Sequence, residues 1–175
     1  MVKRTDNIYL WTGYGWGKTT SALGVALRAI GHGHKVIIIQ FMKGRKYIGE
    51  YKVRKRLSPN YKIYQFGRKE FINLRKPTKK DKELAQKGFR FIGEAIKQKP
   101  NLLILDEINL ATAIGILDKK DVLKLLDDIP KNIAVYLTGR NAPKEFRKRA
   151  DYVTEIKPIK HPKINYNNPK KGIDY

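Results

Sequence analysis

Short apolar runs alternate along the chain with segments in which apolar residues recur at helical spacing. The runs are rich in Ile, Leu, Val and aromatic residues, which is typical of buried strands in a parallel sheet. Strands are predicted at residues 8–11, 35–41, 61–66, 101–105, 132–137 and 152–156. Helices are predicted at residues 22–30, 77–99, 108–117, 120–126 and 143–149, with a further short one inside 43–60.

The alternation of strands and helices indicates βαβ units, and therefore an α/β fold with a mainly parallel sheet of about six strands and helices on both faces. A chain of 175 residues is long enough for one domain and too short for two. Residues 1–175 are therefore expected to form a single domain, which ends in an irregular tail at 158–175. Ligands of such sheets bind beyond the carboxyl ends of the strands, so the polar residues that follow the strands are the candidates for chemistry.

A glycine-rich loop follows the first predicted strand and resembles the phosphate-binding motif G-x-x-x-x-G-K-[ST]. In that motif backbone amides face phosphate oxygens, the lysine supplies a positive charge and the hydroxyl holds Mg²⁺. Thr12 stands where the first glycine belongs. The order of strand, loop and helix favours nucleotide binding in a P-loop NTPase (RecA-like) three-layer fold, and a turn that only connects two elements is the alternative. The predicted nucleotide-binding residues are Thr12, Gly13, Tyr14, Gly15, Trp16, Gly17, Lys18, Thr19 and Thr20.

The fourth predicted strand ends in two carboxylates, Asp106 and Glu107, in the form of a Walker B segment. Together with the hydroxyl of Thr19 they are the expected ligands of Mg²⁺ or Mn²⁺, because hard cations prefer oxygen ligands and the strand tip lies near the phosphates. Capping of the following helix is the alternative, since acids at a helix start stabilise its dipole. The pattern does not tell which carboxylate touches the metal directly.

Other polar residues carry weaker signals. Arg140 follows the fifth strand, where a guanidinium could clamp phosphate oxygens, although a solvated surface arginine is the alternative. Arg28 lies on the first helix among small residues, and the pattern alone assigns it no role. His32 and His34 lie in a glycine turn without a third ligand, so a role in ending the helix is expected instead of a metal site.

The charge of the chain is its most unusual bulk property. There are 38 Lys and Arg residues against 16 Asp and Glu residues, which gives a net charge of +22. Such an excess is compatible with nucleic acid, a membrane surface or an anionic small substrate. The absence of cysteine excludes disulfides, thiolate metal sites and cysteine nucleophiles. Because no apolar run is long enough for a membrane span or an export signal, a cytoplasmic protein is expected.

In their order along the chain, these motifs resemble those of the P-loop class of cob(I)alamin adenosyltransferases, also called ATP:corrinoid adenosyltransferases. Residues 13–20 are similar to that family's G-N-G-K-G-K-T-T, residues 28–33 to its R-A-x-G-H-G, and residues 40–44 to its Q-F-[IM]-K-G. Further matching segments are Leu105-Asp106-Glu107, Thr138-Gly139-Arg140, residues 150–155, Lys160-His161 and residues 172–175. The resemblance covers nearly the whole chain.

The resemblance implies transfer of the 5′-deoxyadenosyl group of ATP to the cobalt of a reduced corrinoid, cob(I)alamin. Cobalt is the nucleophile and triphosphate is the leaving group, so the protein has to position the reactants and stabilise the leaving group. Lys18, Thr19, Mg²⁺ and Arg140 would hold the triphosphate, while Glu107 and Arg28 would help to place metal and nucleoside. The family binds ATP reversed, with C5′ exposed to attack, and the altered position 12 is consistent with this.

Aromatic residues near the cobalt are also implied, because apolar groups that displace its axial ligand ease its reduction. Phe71 lies in the corresponding segment, 67–73, so the implied catalytic residues are Lys18, Arg140 and Phe71. The tryptophan that follows this phenylalanine in many members is absent. Tyr14 and Trp16 also replace an asparagine and a lysine that are common in the family loop.

Two other functions remain as alternatives. A RecA-like nucleic-acid-dependent ATPase is suggested by the P-loop, the Walker B acids and the positive charge, and a small-molecule kinase would transfer the γ-phosphoryl group. For the adenosyltransferase the co-substrate is ATP and the pathway is adenosylcobalamin biosynthesis or salvage. Its expected partners are a corrinoid (cobalamin or cobinamide), an electron donor for the cobalt and a second copy of the chain in a homodimer, with no nucleic acid.

Overall fold

The computed structural model describes residues 7–160 and 169–175. Six strands form one parallel sheet in the order β3-β2-β4-β5-β1-β6. The strands are β1 (Ile8–Thr12), β2 (Val36–Phe41), β3 (Tyr61–Phe66), β4 (Leu102–Asp106), β5 (Ala134–Thr138) and β6 (Tyr152–Glu155). The helices are α1 (Lys18–Gly31), α2 (Gly49–Lys52), α3 (Lys79–Lys97), α4 (Ile108–Ala113), α5 (Lys119–Asp128) and α6 (Lys144–Arg149), and a 3₁₀ turn, Val53–Lys55, follows α2.

Helices cover both faces of the sheet. On one face Ala22 and Ala26 of α1 pack on apolar residues of β2, β4 and β5. On the other face α3, α5 and α6 bury residues such as Ile92, Val122 and Phe146 against the same strands. All six residues of β2 are buried, which is why that strand is apolar along nearly its whole length. The predicted α/β P-loop NTPase fold, a parallel sheet between two helical layers, is confirmed.

The register of the strands brings their carboxyl ends together at one edge of the sheet. Gln40 in β2 lies opposite Asp106 in β4, and Trp11 in β1 lies opposite Thr138 in β5. Because β5 lies between β1 and β4, the loop after β1 and the acids after β4 face each other across the end of β5. This edge is where ligands of parallel sheets bind.

One helical prediction needs correction. The helix predicted at 108–117 ends at Ala113, because Gly115 adopts a φ of 71° and the amide of Leu117 turns back to the carbonyl of Ala111. The short helix predicted inside 43–60 is present as α2, and the 3₁₀ turn follows it directly.

The start of α3 is capped more completely than its sequence suggests. Thr78 accepts a hydrogen bond from the amide of Asp81, and the Asp81 carboxylate accepts one from the amide of Thr78, so both halves of a capping box are present. The guanidinium of Arg68 also donates to Asp81, at 2.8 Å. This contact ties the segment after β3 to the first turn of α3.

None of the helices in the described parts of the chain is both long and apolar enough to cross a membrane. Residues 158–160 and 169–175 of the predicted irregular tail contain neither helix nor strand, and residues 161–168, with His161, lie outside the described residues. That residues 1–175 form a single domain stays a prediction.

Candidate active site

The loop after β1 wraps around the ammonium group of its own lysine. Gly17 caps α1 with a φ of 102°, a left-handed conformation that glycine adopts without strain. Lys18 is the first residue of α1, is buried, and donates from Nζ to the carbonyl of Gly15 at 2.6 Å. Burial lowers the pKa of Lys18, and the attraction of Glu107 offsets only part of that effect. The loop therefore holds a positive charge at the start of a helix, where anions bind.

Two of the loop glycines pack against the residue that follows β6, where a larger side chain would not fit. The amide of Gly15 donates to the carbonyl of Ile156 at 2.8 Å. A Cβ atom on Gly13 would lie 2.3 Å from that carbonyl oxygen, and one on Gly15 would lie 2.4 Å from Cγ2 of Ile156. Sequence reasoning assigned these glycines to phosphate binding alone and missed Ile156, which no local pattern marks.

Thr12, at the position of the missing glycine, faces the interior of the protein. Its side chain is fully buried, and its hydroxyl accepts a hydrogen bond from the amide of Ala142 at 3.2 Å. Its carbonyl accepts from the amide of Ile156. The hydroxyl is thus engaged within the fold, and nucleotide binding through Thr12 stays a prediction.

Asp106 lies at the centre of a buried polar cluster at the end of β4. Its carboxylate accepts hydrogen bonds from Thr19 at 2.8 Å, Thr138 at 2.6 Å and Gln40 at 3.0 Å. The ammonium of Lys43 lies 2.6 Å from the same carboxylate. Burial alone would raise the pKa of Asp106, but Lys43 and the hydroxyl donors outweigh it and hold the pKa below its ordinary value. Asp106 is therefore ionised and fully hydrogen-bonded.

Glu107 has a different environment from that of its neighbour. Its backbone has a φ of 66°, and its amide donates to the hydroxyl of Thr138 at 3.0 Å. Among the described residues, its buried Oε2 atom has no hydrogen-bond partner. Burial raises the pKa of Glu107 and the adjacent Asp106 adds to the rise, against the attraction of Lys43 and Lys18. Glu107 is thus a half-buried acid whose buried Oε2 atom accepts no hydrogen bond from the described residues.

The contacts of these acids bear on the capping alternative. Glu107 is the N-cap residue of α4, but its side chain makes no capping hydrogen bond to that helix, and the side chains that donate to the Asp106 carboxylate lie outside α4. That Asp106 and Glu107 hold a metal ion stays a prediction.

Arg140 lies in the turn that follows β5, after Gly139 with a φ of 129°. Its side chain is half-buried, and its charge acts on both Lys18 and Glu107. The turn is linked to the loop, because the hydroxyl of Tyr14 donates to Asn141 at 2.7 Å. Arg140 therefore belongs to the same edge of the sheet as Lys18, as predicted from its position after a strand.

The aromatic residues of the loop are on its surface. Tyr14 is 65% exposed and Trp16 is 55% exposed. Two such rings beside a phosphate-binding loop present an apolar surface to a ligand above it. The hydrogen bond from Tyr14 to Asn141 fixes one of them in place.

Two predicted site residues lie away from the cluster around Asp106. Arg28 is exposed in the last turn of α1, about 15 Å along the helix axis from Lys18 at 1.5 Å per residue, and its charge acts on Tyr136. Phe71 is 75% exposed in the segment after β3, and the guanidinium of Arg45 lies 3.8 Å from its ring centre. The structure does not bring either residue into contact with the triphosphate candidates.

The two histidines of the glycine turn behave as the sequence indicates. His32 is the C-cap of α1 and donates its amide to the carbonyl of Ala29, as His34 does. Both are exposed. Within residues 7–160 and 169–175, no group of three or more His, Cys, Asp or Glu side chains is placed to hold a metal ion.

Sequence reasoning missed two residues of the cluster, Gln40 and Lys43. They occupy the end of β2 and the turn after it, a place where chemistry is expected, but neither residue type by itself points to a partner. Only the pairing of β2 with β4 places them on Asp106. Thr138, which was noted only as part of the segment that carries Arg140, likewise serves both acids.

Comparison with known proteins shows the family to which the chain belongs. Residues 4–175 match the model of the ATP:corrinoid adenosyltransferase family BtuR/CobO/CobP. The chain is 33% identical over 172 residues to the corrinoid adenosyltransferase of Escherichia coli K12, covering 96% of this chain and 85% of that protein. It is 32% identical over 181 residues to the corrinoid adenosyltransferase of a Sinorhizobium species, covering 100% and 84%. The corrinoid adenosyltransferase CobA of Salmonella typhimurium LT2 is 33% identical over 172 residues, covering 96% and 85%.

The family model spans the phosphate-binding loop, the acids after β4 and the turn of Arg140, which are the parts that the fold brings to one edge of the sheet. On this match and these identities, the chain is a transferase of the ATP:corrinoid adenosyltransferase family.

Proposed function

We propose that this protein transfers the 5′-deoxyadenosyl group of ATP to the cobalt of cob(I)alamin or a related reduced corrinoid and releases triphosphate. The observation that carries the proposal is the meeting of Lys18, Arg140 and Glu107 at one edge of the sheet. Two cations and a half-buried acid beside a phosphate-binding loop suit a triphosphate with its metal ion. The relatives named above supply the acceptor class, a corrinoid.

In this reaction the protein has to position the reactants and stabilise the charge of the leaving group. Cobalt(I) attacks C5′ of the ribose, the bond from C5′ to the oxygen of the α-phosphate breaks, and the electron pair leaves with triphosphate. Lys18 and Arg140 stabilise the negative charge that develops on the leaving group. The chain has no cysteine, and the exposed His32 and His34 lie at the opposite end of α1 from the loop. The site thus suits a reaction in which the substrate brings its own nucleophile.

The residues around Asp106 fit a divalent cation. Among the described residues the buried Oε2 of Glu107 is an acceptor without a hydrogen-bond partner. The neighbouring Asp106 carboxylate and the hydroxyl of Thr19, which lie 2.8 Å apart, are further oxygen ligands. Mg²⁺ is commonly held by one or two carboxylates together with substrate phosphates, which is the set available here. Bound Mg²⁺ or Mn²⁺ would supply charge neutralisation for the triphosphate. Thr19, Asp106 and Glu107 are the residues proposed to hold it.

The corrinoid is proposed to lie on the β2 and β3 side of the loop. A cleft of about 610 Å³ there is lined by Arg45, Lys46, Tyr47, Lys52 and Lys69. Arg45, which stacks on Phe71, connects this cleft to the exposed aromatic ring that the family resemblance assigns to the corrinoid. Cations on the cleft wall suit the phosphodiester of a complete corrinoid, and exposed rings suit its apolar face.

The test is to mix the protein with Mg²⁺, ATP and chemically reduced cobalamin without oxygen, follow the corrinoid spectrum and identify the phosphate product. We expect adenosylated corrinoid and triphosphate in equal amounts. Orthophosphate whose release depends on DNA or RNA would instead establish the nucleic-acid-dependent ATPase. Transfer of the γ-phosphoryl group to a small molecule would establish the kinase.

Lys18→Ala tests the role of the loop lysine in this reaction. Removal of the ammonium from the loop is expected to lower turnover by at least about 100-fold, the usual effect of deleting one group that stabilises charge in a transition state. Lys87→Ala, on the exposed face of α3, serves as the control for loss of one lysine charge. Full activity of Lys18→Ala would mean that the loop does not bind the triphosphate.

The proposal also includes the remaining components of the reaction. Cobalt(I) has to be generated, so an electron donor is required. Because ATP is the co-substrate, we place the reaction in the cytoplasm. A homodimer is proposed as the assembly, to be tested by measuring the mass of the protein in solution.

A further inference from the structure

Lys43 places a positive charge where the proposed metal ion has to bind. Its ammonium nitrogen lies 2.6 Å from Oδ2 of Asp106 and 3.3 Å from the hydroxyl oxygen of Thr19. Both partners are among the three residues proposed to hold the metal. The other side-chain donors to Asp106 among the described residues are neutral: Thr19, Thr138 and Gln40. Lys43 is therefore the counter-charge of this buried carboxylate.

The backbone of Lys43 is tightly packed, while its side chain is partly exposed. A Cβ atom on Gly67 would lie 2.3 Å from the amide nitrogen of Lys43, and one on Gly44 would lie 2.4 Å from the carbonyl oxygen of Gly67. The turns after β2 and β3 are thus packed backbone to backbone. The side chain of Lys43 is 28% exposed, against 1% for Asp106, so the ammonium reaches the carboxylate from the open side of the site.

A divalent cation and this ammonium cannot share the same carboxylate oxygen. The ammonium of Lys43 forms an ion pair with the Asp106 carboxylate at 2.6 Å, and an anionic partner this close favours the charged form of the lysine. Lys43 is therefore charged at neutral pH, and two cations within a few ångströms of each other repel strongly in a buried site. To bind Asp106, the metal has to replace the ammonium.

The replaced ammonium needs a new anionic partner, and the triphosphate provides one. In the described parts of the chain no set of three acidic, histidine or cysteine side chains is placed to hold a metal on its own. Most of the ligands of the ion must then come from phosphate and water, as is usual for Mg²⁺. The ammonium of Lys43 already lies 3.3 Å from the hydroxyl oxygen of Thr19, so a triphosphate held by the loop would offer it a nearby anionic partner.

We propose that Lys43 is a resident counter-cation that keeps free divalent metal off Asp106 and moves to the triphosphate when metal and nucleotide bind together. This inference rests on the metal site of the proposed function. It makes Lys43 a positioning residue that couples metal binding to nucleotide binding. Free Mg²⁺ alone is then a weak ligand, whereas Mg²⁺ with triphosphate is a strong one.

The experiment measures Mn²⁺ binding without nucleotide, from the electron paramagnetic resonance signal of free Mn²⁺. Lys43→Met removes the charge and keeps the length of the side chain, and we expect it to bind Mn²⁺ at least tenfold more tightly than the wild type does. Lys43→Gln keeps a hydrogen-bond donor for Asp106 and should also bind Mn²⁺ more tightly. It replaces the methionine variant if that protein does not fold. Lys43→Arg keeps the charge and should resemble the wild type, as should Lys55→Met, a matched change at an exposed lysine of the 3₁₀ turn.

A second measurement adds inorganic triphosphate. In the wild type, triphosphate should raise the affinity for Mn²⁺ at least tenfold, and in Lys43→Met this gain should be at least threefold smaller. Unchanged or weaker Mn²⁺ binding by both uncharged variants would overturn the inference. Neither assay requires a corrinoid. If the protein gives the expected Mn²⁺ binding but forms no adenosylated corrinoid, the inference about Lys43 stands and the proposed function is wrong.

Discussion

The hydroxyl of Thr12 accepts a hydrogen bond from the amide of Ala142, at 3.2 Å, in the interior of the protein. Ala142 ends the turn that carries Arg140. This bond therefore joins the first residue of the phosphate-binding loop to the turn whose arginine is also proposed to bind phosphate. Glycine at position 12 could not make it. The departure from the usual loop motif thus has a structural explanation that is independent of how ATP is oriented.

Thr12→Val tests this bond, because valine has nearly the shape of threonine and no hydroxyl. The amide of Ala142 would be left buried without a partner, which costs about 1–3 kcal/mol. We therefore expect the free energy of unfolding in urea to fall by about that amount. Thr12→Ser, which retains the hydroxyl, should lose less. Equal stability of Thr12→Val and the wild type would mean that the bond contributes nothing.

Gly15→Ala is expected to disrupt the loop, whereas Gly24→Ala should stabilise the protein. A Cβ atom on Gly15 would lie 2.4 Å from Cγ2 and 2.9 Å from the carbonyl oxygen of Ile156, and the backbone contact cannot move aside cheaply. A Cβ atom on Gly24, within α1, would meet nothing within 4 Å. Glycine in a helix costs about 0.5–1 kcal/mol relative to alanine, so Gly24→Ala should gain about that much.

Thermal unfolding and ATP binding measured for both variants decide this prediction. Loss of ATP affinity in Gly15→Ala, with the affinity of Gly24→Ala unchanged, is the expected pattern. A Gly15→Ala protein with normal stability and normal ATP affinity would contradict the close packing of the loop on Ile156.

Glu107→Gln is expected to stabilise the metal-free protein at neutral pH. Burial raises the pKa of Glu107 in the folded state, so the folded protein retains this proton at pH values where the unfolded chain has lost it. The free energy of unfolding of the wild type therefore decreases as the pH rises above 4.5, the ordinary pKa of glutamate, and through the raised pKa of the folded state. The glutamine variant has no such proton to lose, so its stability should not show this decrease.

The measurement is the free energy of unfolding of both proteins between pH 4 and 8 with a chelator present. The advantage of the variant should be smallest at the acid end and grow with pH. Parallel pH profiles would show that the pKa of Glu107 is not raised in the folded state. The same variant is expected to bind Mn²⁺ with triphosphate more weakly, because it lacks the carboxylate proposed as a ligand.

Phe71→Ala is expected to impair use of the corrinoid and leave ATP binding intact. The ring is largely exposed, so its loss should change stability by no more than about 0.5 kcal/mol. Loss of one aromatic contact of about 1.4 kcal/mol would lower kcat/KM for the corrinoid by about tenfold. Leu74→Ala, another exposed apolar residue in the same segment, is the control. An equal effect of both variants would contradict a specific role of Phe71.

Much of the fold could be predicted from the sequence because the signals are local. The six apolar runs correspond to six strands, with ends that differ by at most two residues. The predicted helix at 108–117 was too long because apolar periodicity continued past Gly115, whose left-handed backbone ends α4. Periodicity reports which side of a segment is buried and not where its backbone turns.

Local sequence patterns were enough to predict the loop with Lys18 and Thr19, the acids at the end of β4 and the arginine after β5, since each lies at the carboxyl end of a strand and parallel strands end at one edge. Which of these residues contact each other depends on the tertiary structure. Thr12 contacts Ala142 across 130 positions, and Lys43 contacts Asp106 across 63. These contacts exist because β5 lies between β1 and β4, and β2 lies beside β4. Strand order is set by the packing of the whole sheet, which no local pattern encodes.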